Sequence, residues 1–182
     1  DKQSVNSLVG NNINCLLEDS NGLLWIGTDN GISKLNITEQ ISNEINLILK
    51  ENEIEQTNIN SIIEDSEGDL WIGTKYHGLI NILVDEKKVI KYAYNKNDEN
   101  TISSNTIKYI DEFKTGEIIV VTDKGIDIIN KYKHTISNQY LEGLDNESYL
   151  GIQKIIFDND KYCWMATDNG IVRLDFNREE IK

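Results

Sequence analysis

The feature that most constrains this fold is a turn-and-strand unit that recurs four times along the chain. Its clearest copy, residues 65–74, reads DSEGDLWIGT, and residues 19–28 read DSNGLLWIGT. Weaker copies align on the same tryptophan column, whose members are spaced by 46, 48 and 45 residues: Trp25, Trp71, Ile119 and Trp164. Repeats of roughly 40–50 residues are typical of four-stranded propeller blades. Such units bury their apolar faces by stacking on their neighbours.

Further columns accompany the tryptophans. A threonine follows three residues later in every copy, at Thr28, Thr74, Thr122 and Thr167. We expect it to bond the backbone at the strand end, and the glycine after it to supply a turn with positive φ. Small residues precede the threonine, most clearly Gly27 and Gly73, and small residues inside strands indicate close approach of another backbone.

The tryptophans are expected to pack on the next blade, because a residue repeated in every unit usually serves packing. The alternative is that Trp25, Trp71 and Trp164 form stacking platforms for sugar rings.

The repeat predicts an all-β fold of four-stranded antiparallel β-propeller blades. The blades span about residues 11–56, 57–102, 103–146 and 147–182. The last blade lacks an outer strand, so we expect a partial or open propeller, completed by further blades or by a second copy of the chain, since exposed edges and apolar faces invite partners.

One stretch has two interpretations. Residues 38–52 hold Ile41, Ile45, Leu47, Ile48 and Leu49, and could form an amphipathic helix. The repeat register instead makes 46–50 the outer strand of blade one, and this strand is our prediction.

Composition excludes several classes of function. With 18 Lys+Arg against 31 Asp+Glu, the net charge is −13, which disfavours nucleic acid and anionic membrane surfaces as partners.

Cys15 and Cys163 lack metal-ligand spacing, and free thiols or one disulfide are both compatible with their positions. The acidic turns at 19–22 and 65–69 have Gly at the fourth position, where a calcium loop needs it at the sixth. We therefore expect no metal and no cofactor.

Candidate ligand contacts lie in the loops between the second and third strands, which share the channel face of a propeller. They are Asn30, Lys75, Tyr76, His77, Lys124 and Asn169. Blade two's loop is one residue longer than the others and holds an aromatic ring, a cation and a histidine. Tyr76 could stack on a polar ligand while its neighbours bond hydroxyls or carboxylates.

Residues 58–74 with Gly78 and Leu79 resemble the two-component regulator propeller repeat, and the resemblance extends over about residues 11–176. Blade three departs most, with Phe113 for Asp and Ile119 for Trp. The resemblance implies an extracytoplasmic sensor region of a membrane-bound regulator with a histidine kinase or diguanylate cyclase output. It also implies an oligosaccharide as a possible ligand, and propellers of usually seven blades.

Catalysis is not expected, because no nucleophile-elbow, metalloprotease or phosphate-loop motif is present. Two alternatives remain. One is a protein-interaction scaffold, and the other is a lyase-like enzyme, since streptogramin lyases use a similar repeat and His77 could act as a base.

Overall fold

Short antiparallel meanders dominate the computed structural model of the chain. It describes residues 7–36, 41–42, 45–54, 57–84, 86, 88–139, 152, 154–158, 162–168 and 170–175. Within these residues four sheets form, each with its strands hydrogen-bonded in chain order. The predicted class, an all-β fold of propeller blades, is confirmed.

The sheets have the following bounds. Blade one contains β1 (Ile13–Glu18), β2 (Leu23–Thr28), β3 (Gly31–Asn36) and β4 (Ile41–Ser42), followed by the helix α1 (Ile45–Glu51). Blade two contains β5 (Ile59–Glu64), β6 (Leu70–Thr74), β7 (Leu79–Leu83) and β8 (Lys88–Tyr92). Blade three contains β9 (Ile107–Lys114), β10 (Glu117–Thr122), β11 (Ile126–Asn130) and β12 (Thr135–Gln139). Blade four contains β13 (Lys154–Asp158), β14 (Tyr162–Thr167) and β15 (Gly170–Asp175).

The predicted outer strand at 46–50 is wrong, because those residues belong to α1. The two-residue β4 takes the outer-strand place by pairing Ser42 and Ile41 with Lys34 and Leu35. The helical period then brings Ile45 and Leu49 onto one face. Leu49 is fully buried in the core between blades one and two, whereas Leu47 is 62% exposed.

Each tight turn between the first two strands of blades one and two is organised by its aspartate. Oδ1 of Asp19 accepts the N–H groups of Asn21 and Leu23, and Oδ2 accepts the Trp25 indole N–H at 2.8 Å. Asp65 repeats this arrangement with the Trp71 indole at 2.9 Å. The turn therefore fixes the orientation of the tryptophan ring.

Apolar cores lie between consecutive blades. Trp25 packs with Ile59 and Ile62 of the next blade. Trp71, which is fully buried, packs with Ile107 and Ile110. Burial leaves Trp25 and Trp71 no open face on which a sugar ring could stack.

Gly27 and Gly73 lie where neighbouring blades approach most closely. A Cβ built on Gly27 would come within 2.7 Å of Ile59 Cγ2, and one on Gly73 would come equally close to Ile107 Cγ2. Real Cβ atoms do not sit at such distances, so a larger residue would push the blades apart.

The described part of blade four presents its tryptophan differently. Trp164 is 39% exposed, and its ring centroid lies 5.6 Å from the Arg173 guanidinium carbon.

Cys15 and Cys163 are both free thiols. Burial raises the pKa of Cys15 to about 11 and that of Cys163 to about 12, which leaves both thiols protonated near neutral pH.

Candidate functional site

The loops between the second and third strands of each blade are held by the threonine column. The hydroxyls of Thr28, Thr74, Thr122 and Thr167 donate to the carbonyls of Gly31, Gly78, Gly125 and Gly170, at 2.8–3.1 Å. In blades one to three the same oxygen also accepts a backbone N–H from the loop. In each blade one threonine side chain thus shapes the loop on which a ligand residue was predicted.

Blade two's loop carries three of those residues on its surface. Tyr76 is 63% exposed, and Lys75 Nζ lies 5.3 Å from its ring centroid. Burial, followed by the nearby charge of Lys91, lowers the pKa of His77 below its usual value. This shift favours the neutral imidazole, which can donate one hydrogen bond and accept another.

The other three predicted residues are placed differently. The Asn30 amide donates to the Val9 carbonyl at 3.0 Å and so tethers the segment that precedes β1. Lys124 is exposed and lines the cleft described next. Asn169 lies outside the described residues.

An open cleft with a volume of about 860 Å³ lies beside the loop that joins β8 to β9. Its lining mixes an aromatic ring, both signs of charge and neutral hydrogen-bonding groups. The lining residues are Tyr94, Asn95, Lys96, Asp98, Glu99, Thr101, Ile102, Ser103, Ser104, Lys124 and Asn138. Most of these residues escaped sequence reasoning, although the polar run from Asn95 to Ser104 was the signal that could have found them.

The cleft adjoins the predicted loop of blade two. The Gly78 N–H donates to the Asn105 carbonyl at 3.0 Å, and a Cβ on Gly78 would contact Asn105 and Ile102. The 95–105 loop therefore packs against the end of the Lys75–His77 loop, on the same side of the molecule.

A buried aspartate supports the wall of the cleft. Asp127 accepts both the N–H and the hydroxyl of Ser103, at 2.8 and 3.0 Å, and the Asn138 amide at 2.8 Å. Burial raises the pKa of Asp127, and these hydrogen bonds oppose the rise. The Ser103 and Thr122 hydroxyl oxygens lie 2.7 Å apart, so the wall of the cleft lies directly beside the Lys124 loop.

The chemistry of this surface suits a polar, uncharged or weakly charged ligand. Lys96 and Lys124 can donate hydrogen bonds, Asp98 and Glu99 can accept them, and Tyr94, which is 52% exposed, offers an aromatic face. Aromatic faces combined with convergent hydrogen-bonding groups are a common pattern in ligand sites.

The acidic turns have their oxygens engaged within the fold. Asp65 bonds the Lys131 ammonium at 2.6 Å in addition to the Trp71 indole, and Glu67 and Asp69 lie 2.7 and 3.1 Å from the same ammonium. Across the residues that the structure describes, no group of three His, Cys, Asp or Glu side chains has an arrangement that could hold a metal ion.

Comparison with known families supports the resemblance drawn from the repeats. The model described as "Two component regulator propeller" matches residues 7–30 and 53–76. Both segments contain the aspartate turn and tryptophan strand of blades one and two, so the resemblance to this repeat is confirmed. No curated protein matches the chain.

Solved structures share the fold over nearly the whole chain. The extracellular domain described as that of the one component system BT4673 from B. thetaiotaomicron is 23% identical, with a TM-score of 0.73. The match covers 96% of this chain and 24% of that one. The extracellular domain described as that of the hybrid two component system BT3049 from the same organism is 18% identical, with a TM-score of 0.76, and the match covers 97% and 25%.

An enzyme also shares the fold. Virginiamycin B lyase from Staphylococcus aureus is 18% identical with a TM-score of 0.62, and the match covers 92% of this chain and 53% of the lyase.

The chain spans about a quarter of the length of the two regulator domains. Within the described residues, no helix combines the length and apolarity that a bilayer crossing requires.

Proposed function

Because the chain carries two repeats of the two-component regulator propeller type, we propose that it is a segment of an extracytoplasmic sensor in a signal-transduction regulator. In this proposal it binds a polar ligand, with a carbohydrate as the first candidate, and performs no catalysis. Two regulator domains with the same fold are described as extracellular, which supports the compartment.

The observation that carries the proposal is the cleft beside the 95–105 loop. Its volume of about 860 Å³ falls within the range of roughly 300–1,000 Å³ that is usual for ligand pockets. Loops on a rigid scaffold can acquire binding residues at little cost to the core. Here the threonine column and Asp127 supply that rigidity from outside the cleft.

A carbohydrate matches the lining better than an anion does. Lys96 and Lys124 are balanced by Asp98 and Glu99, and the whole chain carries a charge of −13, which repels anionic ligands. Hydroxyl groups of a sugar can both donate to the carboxylates and accept from the ammonium groups. Tyr94 can pack against the apolar face of a sugar ring.

The test is a thermal-shift screen of neutral and acidic oligosaccharides, followed by calorimetry on any hit. A ligand present at 100 times its Kd should stabilise the fold by about 2.7 kcal/mol. Tyr94→Ala and Lys124→Ala should abolish that shift, whereas Lys133→Ala, which changes an exposed lysine in the turn after β11, should leave it intact.

Tyr76→Ala tests whether the binding site extends from the cleft to blade two's loop. A loss of binding on this change would extend the site to blade two's loop, and an unchanged Kd would confine the site to the cleft. The proposal fails if no oligosaccharide stabilises the chain, or if a hit binds Tyr94→Ala and Lys124→Ala as tightly as the wild-type chain.

A further inference from the structure

Four oxygen atoms behind the wall of the cleft form a row of three short contacts. Asp127 Oδ2 lies 3.0 Å from the Ser103 hydroxyl oxygen, which lies 2.7 Å from the Thr122 hydroxyl oxygen. The Thr122 hydroxyl in turn lies 3.1 Å from the Gly125 carbonyl. The row therefore runs from β11 through the β8–β9 loop to the β10–β11 loop, and both of these loops line the cleft.

Three contacts of this kind need three hydrogen atoms, but the two hydroxyl groups supply only two. The hydrogen of Thr122 serves the Gly125 carbonyl, as it does for the threonine of each other blade at 2.8–3.0 Å. The hydrogen of Ser103 can serve either Asp127 or Thr122. With an ionised Asp127, one of the three contacts lacks a hydrogen. A protonated carboxyl supplies the third one and keeps acceptor capacity for the Ser103 N–H.

The surroundings of Asp127 favour the protonated form. Its side chain is fully buried, and its hydrogen bonds come from Ser103 and Asn138, which are both neutral. Its neighbours across the sheet are Val120 and Asn138. Burial accordingly raises the pKa of Asp127. Among the described residues, none of the titratable groups in the two adjoining loops forms an ion pair with it; these groups are Tyr94, Lys96, Asp98, Glu99, Asp123 and Lys124.

The other blades show that the fold does not need an acid at this position. Ser33, Ile80 and Asp127 each pair with the residue that follows the tryptophan column. Ser33 accepts the Val9 N–H at 3.2 Å, much as Asp127 accepts the Ser103 N–H. A serine therefore suffices to hold the adjoining segment, and that task alone does not account for a buried carboxyl.

We propose that Asp127 carries a proton in the folded chain and that this proton makes the cleft sensitive to pH, because it completes the hydrogen bonds that join the two loops. When the proton leaves to solvent, the hydrogen of Thr122 can serve either Ser103 or the Gly125 carbonyl, but not both. One loop is then held by one hydrogen bond fewer. Acid therefore fixes the cleft wall, and a higher pH loosens it.

A carbon-13 NMR titration of the ligand-free chain measures the proton itself. The side-chain carboxyl signal of Asp127, assigned by its disappearance in Asp127→Asn, should titrate above the value of about 3.9 that is ordinary for aspartate. A midpoint at or below that value overturns the proposal.

Thr122→Val tests the count of hydrogens. It should move the Asp127 midpoint to lower pH, because the protonated chain loses two contacts and the ionised chain loses one. Thr74→Val is the matched control, since it removes the same bond to a glycine carbonyl in blade two, where Ile80 holds the place of Asp127. It should leave the midpoint unchanged. An unmoved or higher midpoint in Thr122→Val, or an equal shift in both variants, contradicts the proposal.

Urea denaturation at several pH values gives a second measurement that needs no Thr122 variant. A carboxyl whose pKa is raised by folding contributes stability below its unfolded pKa, and that contribution is lost as the pH rises through the folded value. The free energy of unfolding of the wild-type chain, relative to that of Asp127→Asn, should therefore fall over this window. A relative stability that rises with pH instead shows that Asp127 is ionised in the folded chain.

The effect on binding rests on the proposed function. An oligosaccharide found in the thermal-shift screen should bind roughly fivefold more weakly above the Asp127 midpoint than below it, the effect of one ordinary hydrogen bond. The Kd of Asp127→Asn should change less over the same window, and an equal change in both chains overturns the regulatory role. If no oligosaccharide binds, the proposed ligand is wrong, whereas the carboxyl titration still decides whether Asp127 holds the proton.

Discussion

At the scale of single residues, the contacts between blades depend on glycines that face an isoleucine. Gly73 lies in β6, and a Cβ there would sit 2.7 Å from Ile107 Cγ2 and 3.5 Å from Ser61 Cβ. Gly73 lies within β6 and Ile107 begins β9, and both residues pair with a neighbouring strand, so neither backbone can move away without disturbing its sheet. The sequence indicated close approach at this column, but the identity of the opposing residue required the structure.

Gly73→Ala should therefore destabilise the fold by about 1–3 kcal/mol, which is the usual cost of overpacking. Urea denaturation followed by circular dichroism measures this loss. Ala166 occupies the same column in blade four and is exposed. The reverse change, Ala166→Gly, should cost only about 0.5–1 kcal/mol, through backbone entropy. Equal effects at the two positions would show that the column does not mark a close contact.

Lys131 is a second residue on which contacts between blades depend, because it joins blade three to the aspartate turn of blade two. Its ammonium meets Asp65, Glu67 and Asp69. Burial alone would raise the pKa of Asp65, but hydrogen bonds from Lys131, the Trp71 indole and two backbone N–H groups lower it below its usual value. Burial would likewise lower the pKa of Lys131, and the three carboxylates raise it instead.

Lys131→Met should cost about 1–3 kcal/mol at pH 7, because it leaves the buried Asp65 carboxylate without its cation. Asp65 has a depressed pKa in the folded chain, so its contribution is present above the unfolded pKa and disappears as the pH falls through the folded value. The difference between wild type and Lys131→Met should accordingly shrink in acid. Chemical denaturation at several pH values measures it, with Lys133→Met as the control that should stay within about 0.5 kcal/mol of wild type. A difference that is independent of pH down to about pH 2 would contradict this role for Asp65.

At the scale of elements, one side chain of α1, that of Asn46, pairs with the part of β3 that the short strand β4 does not reach. Oδ1 of Asn46 accepts the Ile32 N–H at 3.1 Å, and its Nδ2 donates to the Ile32 carbonyl at 2.6 Å. The Asn46 amide thus offers β3 the donor and acceptor that a neighbouring strand would offer. This explains how blade one accommodates a helix without leaving the Ile32 backbone unpaired.

Asn46→Ala should lower the free energy of unfolding by about 1–3 kcal/mol, since it leaves the Ile32 N–H and carbonyl without partners. Asn46→Asp should cost more, because a carboxylate would face the Ile32 carbonyl. Asn52, whose amide bonds the Ile48 carbonyl at an exposed site, supplies the matched control. The melting temperature measured by thermal unfolding should be lowest for Asn46→Asp, intermediate for Asn46→Ala and nearest to wild type for Asn52→Ala. If Asn46→Asp proves the most stable of the three, the strand-like pairing is wrong.

The elements show where sequence reasoning works. The strands that carry the aspartate turn, tryptophan and threonine columns could be predicted, because the columns recur at nearly constant spacing and the threonine makes the same hydrogen bond in all four copies. The outer strand of blade one could not, because the choice between strand and helix at 46–50 depends on which residues meet Leu49 in space. The cleft was missed for the same reason, since its residues come from the β8–β9 loop, the β10–β11 loop and β12, which only the fold brings together.

At the scale of the whole molecule, the structure is a row of meanders in which each covers one face of the next. The three inter-blade cores contain most of the buried apolar side chains among the described residues. Stability therefore depends on stacking between neighbours, as expected for repeat architectures. The loop surface with its cleft is held in place by this stack, to which Ile102 of the cleft lining contributes a fully buried side chain.

Acrylamide quenching of three variants that each retain one tryptophan, with phenylalanine at the other two positions, tests this stacking most directly. Trp71, which is fully buried between blades two and three, should be quenched least, and Trp25, at 7% exposure, only slightly more. Trp164, at 39% exposure, should be quenched several-fold faster. Equal quenching of Trp71 and Trp164 in the folded chain would contradict the stacked arrangement.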